Sequence, residues 1–175
     1  MPLKSAGNGG VSERLVLMGA GSQFQEELCG MLERTWMFGD FAWHEIKTLA
    51  NYLQAYEAAE RTLLFREGEP GNFMCLVVEG SVGIFKEDSC MAEKCVALVG
   101  HGKTLGEMAI IDGEPRSATC ITATAAKIIL LTKENFLRIL DEHPALGVKI
   151  VMKVARLLSQ RLRKTSGLLV DYLEN

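Results

Sequence analysis

From Gln23 to Met37 the apolar positions Phe24, Leu28, Met31 and Leu32 recur at helical spacing, which predicts an amphipathic helix. Phe38-Gly39-Asp40 breaks the pattern. A second helix is expected after it, with Phe41, Ile46, Leu49, Leu53 and Tyr56 as its inner stripe. At Thr62 the period changes. TLLF, FMCLVVEG, SVGIFKE, KCVALVG, SATCITATA and KIILLT are short β-prone runs, punctuated at REGEPGN, EGS, GHGK and DGEP. Many short strands at close spacing predict a compact antiparallel roll or barrel in place of a βαβ sheet.

After Lys133 the helical period returns. KENFLRILDEHP makes a short helix that stops before Pro144, because proline disfavours helix at the preceding residue. Pro144 then opens a long helix that runs to about Leu173. At 1.5 Å per residue its length is about 45 Å. Val151, Val154, Leu158, Leu162, Thr165, Leu169 and Tyr172 follow at spacings of three and four, a seam suited to a partner helix. Packing of the same stripe back onto the roll is the alternative.

The organisation expected is therefore mainly β with flanking helices. Residues 1–21 form a Gly- and Ser-rich flexible segment, and 22–175 form a single domain. Within it, 22–60 hold the N-terminal helices, 61–132 the β-roll, and 133–175 a hinge and the long helix.

Composition narrows the function classes. The chain has 175 residues, 48% of them hydrophobic, and a net charge of −3. That charge gives no global attraction to nucleic acid or to an anionic membrane. No apolar run reaches the roughly 20 residues that span a bilayer. The start MPLKSAGNGGVSER lacks the apolar core of a secretory signal, so a cytoplasmic location is expected. The five cysteines, Cys29, Cys75, Cys90, Cys95 and Cys120, contain no CxxC pair, which argues against a disulfide framework or a structural zinc site. Cys75 and Cys120 read as reduced core thiols. Cys90 and Cys95 flank a polar loop and are placed to meet across a hairpin, though a reducing compartment opposes a lasting bond.

Candidate chemistry concentrates in LGEMAIIDGEPRSAT, residues 105–119. Gly106 and Gly113 bracket a single helical turn whose first amides, at Met108 and Ala109, lack internal partners and favour an anion. Glu107 would repel that anion, so its natural target is a sugar hydroxyl. Arg116 supplies a planar fork suited to phosphate oxygens. Ser117 adds a hydroxyl, Pro115 stiffens the approach and Ala118 leaves room. These residues fit a ligand with a phosphate beside a hydroxyl. From the residues alone, an Arg116–Glu107 salt bridge closing a surface loop accounts for them equally well.

The run Gly106-Glu107-Met108-Ala109-Ile110-Ile111-Asp112-Gly113-Glu114-Pro115-Arg116-Ser117-Ala118-Thr119 resembles, without a gap, the phosphate-binding cassette of cyclic-nucleotide-binding domains. These occur in protein kinase A regulatory subunits and in the bacterial catabolite activator protein. FREGEPGNFMCLVVEGSVGIF, residues 65–85, is similar to the family's hairpin signature, and FLRILDEHPALGVKIVMKVARLLSQRLRKTS to its closing helices. The resemblance implies a jelly-roll barrel that binds cAMP or cGMP. It implies that Glu107 accepts from the ribose 2′-hydroxyl and Arg116 clamps the cyclic phosphate. The amides of Gly106, Glu107, Met108 and Ala109, with the Ser117 hydroxyl and Ala118, complete the shell. Ser117 after the arginine leans towards cAMP. Family members cap the base from the closing helix, which points to Thr165 and Ser166, with Arg163 as a rival.

Bacterial relatives carry a DNA-reading helix-turn-helix after the long helix; none follows here within the 175 residues, so no direct DNA contact is expected. Lys149, Lys153, Arg156, Arg161, Arg163 and Lys164 read as a solvated face. The histidines His44, His101 and His143 are scattered, so no metal, cofactor or catalytic residue is expected. His101, in GHGK beside the cassette, reads as a plain loop histidine, with contact to a ligand as the alternative. The function expected is a sensor, homodimeric through the long helix, with a scaffold role or a separate effector chain as alternatives.

Overall fold

The computed structural model describes residues 14–87 and 92–173. The chain divides into two compact units, Met1–Asn135 and Phe136–Asn175. The first unit contains β1 (Leu15–Leu17), α1 (Ser22–Glu33), α2 (Trp43–Ala50), β2 (Gln54–Ala58), β3 (Leu63–Phe65) and β4 (Phe73–Glu79). It continues through β5 (Val82–Glu87), β6 (Glu93–Val99), β7 (Thr104–Leu105), α3 (Glu107–Asp112), β8 (Thr119–Thr122) and β9 (Ala126–Thr132). All strand pairs are antiparallel. They form one sheet in the order β1-β2-β9-β4-β7 and a second in the order β3-β8-β5-β6. This is the compact antiparallel roll that the short, closely spaced apolar runs predict and the jelly roll that the resemblance implies.

β4 is the central element that positions the site. Its apolar run FMCLVV is buried at every residue, and only Glu79 is exposed. A strand covered on both faces reads as a continuous hydrophobic run, where a half-exposed one would alternate. β4 pairs with β9 along one edge and with β7 along the other. Phe65, Phe73, Cys75, Leu105, Cys120 and Leu130 belong to one core cluster between the sheets. Cys75 and Cys120 are buried thiols of the core, as expected. Burial pushes the Cys75 thiol far above its ordinary value; neighbouring Cys120 adds to the effect and Arg116 opposes it.

Two expectations are corrected. Leu53 and Tyr56 do not extend the second helix: α2 ends at Ala50, and Tyr56 lies in β2. β2 is paired on both sides, with β1 and with β9, and two ladders outweigh a helical period carried by two residues. Residues 1–21 are also not wholly without structure, because Leu15 pairs with Ala58 and Leu17 with Tyr56. Residues 1–13 lie outside the described ones, as does Cys90 of the suggested Cys90–Cys95 contact.

In the second unit, α4 (Lys133–Glu142) stops two residues before Pro144, and α5 runs over Pro144–Leu173. The two helices approach closely at Gly147, where a Cβ would lie 3.0 Å from the Leu140 Cα. The buried row of α5 is Leu146, Ile150, Val154 and Leu157. This row overlaps the expected seam only at Val154. Leu162, Thr165 and Leu169 are exposed, and the Tyr172 side chain is outside the described set. Lys149, Arg156, Arg163 and Lys164 are exposed, while Lys153 and Arg161 are half-buried. Among the described residues no helix is long and apolar enough to cross a membrane.

Candidate functional site

The segment between β7 and β8 folds as a one-and-a-half-turn helix held between two left-handed glycines. Gly106 has φ 75° and ψ 9°, Gly113 has φ 76° and ψ 3°, and the Gly113 amide donates to the Ala109 carbonyl at 3.2 Å. A side chain in this region of backbone space is strained, which is why both positions read as glycine. Asp112 Oδ1 then accepts from the Glu114 amide at 3.0 Å and turns the chain towards Pro115.

Arg116 is fixed at both ends. Its amide donates to the Glu69 carbonyl and its carbonyl accepts from the Gly68 amide, each at 2.8 Å, so the cassette is tied to the β3–β4 turn. Its side chain runs inward and is only 3% exposed. Nη1 donates to the Gly106 carbonyl at 3.0 Å and Nη2 to the Phe73 carbonyl at 2.7 Å. The guanidinium carbon lies 4.1 Å from the centroid of the Phe65 ring and 4.6 Å from that of Phe73. Nε is buried and makes no hydrogen bond. Burial lowers the guanidinium below its ordinary value, while Cys75, Cys120, Glu107 and Glu69 hold it up.

Glu107, the first residue of α3, is 1% exposed. Carboxylate and guanidinium therefore both sit inside the roll. A salt bridge closing a surface loop does not describe them. Gly71 completes the arrangement from the β3–β4 turn: a Cβ there would collide with the Ala109 methyl and stand 3.2 Å from Arg116 Nε. A Cβ on Gly106 would collide with Arg116 Nη1.

The structure thus brings Gly106, Glu107, Met108, Ala109 and Arg116 together. Ser117 is exposed, with its hydroxyl donating to Met108 Sδ at 3.7 Å, and Ala118 is half-buried. Arg163, Thr165 and Ser166 are exposed on α5 in the second unit. His101 Nδ1–H donates to the Val78 carbonyl, 2.6 Å away. It lines a cleft of about 580 Å³ with Glu26, Glu27 and Met31 of α1 and with Arg34 just after it. Among the described residues no group of three or more His, Cys, Asp or Glu side chains is placed to hold a metal. Sequence reasoning missed Phe65 and Phe73 as site residues. The available signal was an aromatic at each end of the glycine-rich turn.

The family model for the cyclic nucleotide-binding domain matches residues 56–143. The chain is 27% identical over 128 residues to the cyclic AMP receptor protein of Thermus thermophilus, covering 73% of this chain and 57% of that one. It is also 27% identical over 118 residues to the cAMP-dependent protein kinase regulatory subunit of Candida albicans, with coverage of 67% and 25%. The chain therefore spans less than two thirds of the length of these relatives. A solved cyclic nucleotide-binding domain from Methylobacillus flagellatus KT superposes with a TM-score of 0.78 at 31% identity, covering 90% of this chain and 88% of that one. The buried Glu107–Arg116 site lies inside the matched segment, and the chain belongs to the cyclic nucleotide-binding domain family.

Proposed function

We propose that this protein is a cyclic nucleotide-responsive regulator that prefers cAMP and performs no catalysis. One observation carries the reading: a buried carboxylate and a buried guanidinium are bound into one short cassette, with a guanidinium N–H lacking an acceptor. A ribose 2′-hydroxyl donates to Glu107, and the cyclic phosphate accepts from Arg116. Ser117, exposed beside Met108, faces the remaining part of the ligand and favours adenine. The relatives support a non-enzymatic role, since they are a receptor protein and a kinase regulatory subunit.

The output element in this reading is α5. Its exposed Leu162 and Leu169 support homodimerisation through that helix. Ligand binding shifts α5 between two arrangements, with a coupling of about 1–3 kcal/mol between ligand and output. A partner chain that receives the signal is the second reading, favoured by the likeness to a kinase regulatory subunit.

Calorimetry with cAMP and cGMP tests the site. Arg116→Ala removes charge-assisted hydrogen bonds worth about 1.5–3 kcal/mol, and affinity falls roughly 10- to 150-fold. Unchanged affinity in the variant would place the ligand elsewhere.

A further inference from the structure

A guanidinium that leaves water needs its faces covered and its five N–H groups matched. Here two aromatic rings, Phe65 from β3 and Phe73 from β4, pack against the guanidinium. The rings stand edge to face, 5.9 Å apart with planes at 69°, and both are buried. They form an open corner around the cation. Both terminal nitrogens are anchored on backbone carbonyls from two sides of the site, Gly106 before α3 and Phe73 at the start of β4. These contacts fix the guanidinium plane.

Nε is the exception. It is buried without a hydrogen bond, and a Cβ built on Gly71 would stand 3.2 Å from it. A side chain there would crowd Nε and collide with the Ala109 methyl, so the close approach requires glycine. An N–H held in place, desolvated and lacking an acceptor is prepared for an anionic oxygen.

We infer that Phe65 and Phe73 are positioning residues for Arg116: the aromatic corner and the two carbonyls lock the guanidinium so that Nε–H meets the ligand's phosphate oxygen across Gly71. This rests on the proposed role of Arg116 in phosphate binding. Phe65 and Phe73 touch no ligand in this scheme and act only through the arginine. Phe65 is the better probe, because its backbone carries neither of the guanidinium's acceptors.

The test uses the full chain as parent, Phe65→Leu, Arg116→Lys and the double variant. Lysine keeps the charge and loses the plane that the rings hold. Melting temperatures without ligand record the packing loss separately. cAMP affinity is expected to fall about five- to tenfold for Phe65→Leu, in line with a desolvated cation–π contact. In the Arg116→Lys background the same substitution changes affinity by less than twofold. Equal losses in both backgrounds, or no loss in the parent, overturn the inference.

A second readout needs no nucleotide. The Arg116 Nε–H resonance is expected to be shifted by the ring currents in the parent, to lose that shift in Phe65→Leu, and to move on titration with inorganic phosphate. If the parent binds neither cAMP nor cGMP, the proposed function falls and this resonance alone decides. A resonance at its ordinary position, or one indifferent to phosphate, overturns the positioning role. A shifted resonance that responds to phosphate in the parent and not in Phe65→Leu sustains it.

Discussion

Gly106 and Gly113 have the same backbone conformation but different neighbours, which makes a controlled pair. Alanine at either position must adopt a positive φ, at about 1–2 kcal/mol for an L-residue in the left-handed region. At Gly113 that is the whole effect, because the nearest atom to an added Cβ is Lys133 Nζ at 3.6 Å. At Gly106 the Cβ would collide with Arg116 Nη1 and lie 3.2 Å from both the guanidinium carbon and the Phe73 carbonyl oxygen. The arginine cannot retreat easily, since Phe65 and Phe73 pack against its guanidinium. Moving it breaks the Nη1 bond to the Gly106 carbonyl, a charged hydrogen bond worth about 1.5–3 kcal/mol. Gly106→Ala therefore destabilises by roughly 2.5–5 kcal/mol against about 1–2 for Gly113→Ala. For a chain of this size the first lowers Tm by about 5–20 °C and the second by about 2–8 °C. Urea unfolding and calorimetry with cAMP read the two effects. Binding drops at least about tenfold for Gly106→Ala, the equivalent of one displaced charged contact, and stays close to the parent for Gly113→Ala. In an Arg116→Ala background the excess at Gly106 disappears. Equal unfolding midpoints for the two single variants would refute the collision, and with it the claim that Arg116 is held rigidly.

Other consequences are as direct. Glu107→Ala weakens cAMP binding and removes discrimination against the 2′-deoxy analogue, measured by competition; retained discrimination would put the hydroxyl on another group. Cys95 is exposed and reacts with a thiol reagent in the native protein, while Cys75 and Cys120 react only after unfolding. The raised Cys75 value stabilises the fold fully below the unfolded thiol's 9.0, and that contribution is lost progressively as pH climbs beyond it. A urea midpoint that rises between pH 8.5 and 10.5 would contradict this contribution. Leu162→Glu with Leu169→Glu converts the proposed dimer to monomer in sedimentation velocity, and the monomer keeps its circular dichroism spectrum because both side chains are exposed in the single chain; a parent that sediments as a monomer refutes dimerisation through α5.

The sequence alone determined the elements whose signals are local. Apolar runs bounded by Gly, Pro and Asp gave most of the strands, and Pro144 marked the start of α5. The cassette is a contiguous motif, so its helix, its two left-handed glycines and its Glu107 and Arg116 were legible residue by residue. Tertiary structure decided what depends on partners distant along the chain. β2 and β7 exist because neighbouring strands supply ladders, which no period in QAYEA or TL announces. The row α5 buries differs from its expected seam, since neighbouring rows on one helix are equally apolar and only packing selects between them. Arg116 illustrates the division most clearly. Its type and spacing raise the expectation of a phosphate, whereas its burial, its Gly106 and Phe73 acceptors and its two aromatic neighbours arise where the cassette, the β3–β4 turn and β4 converge. A charge can be placed in a core only by matching it with groups that the fold, and not the local sequence, brings within reach.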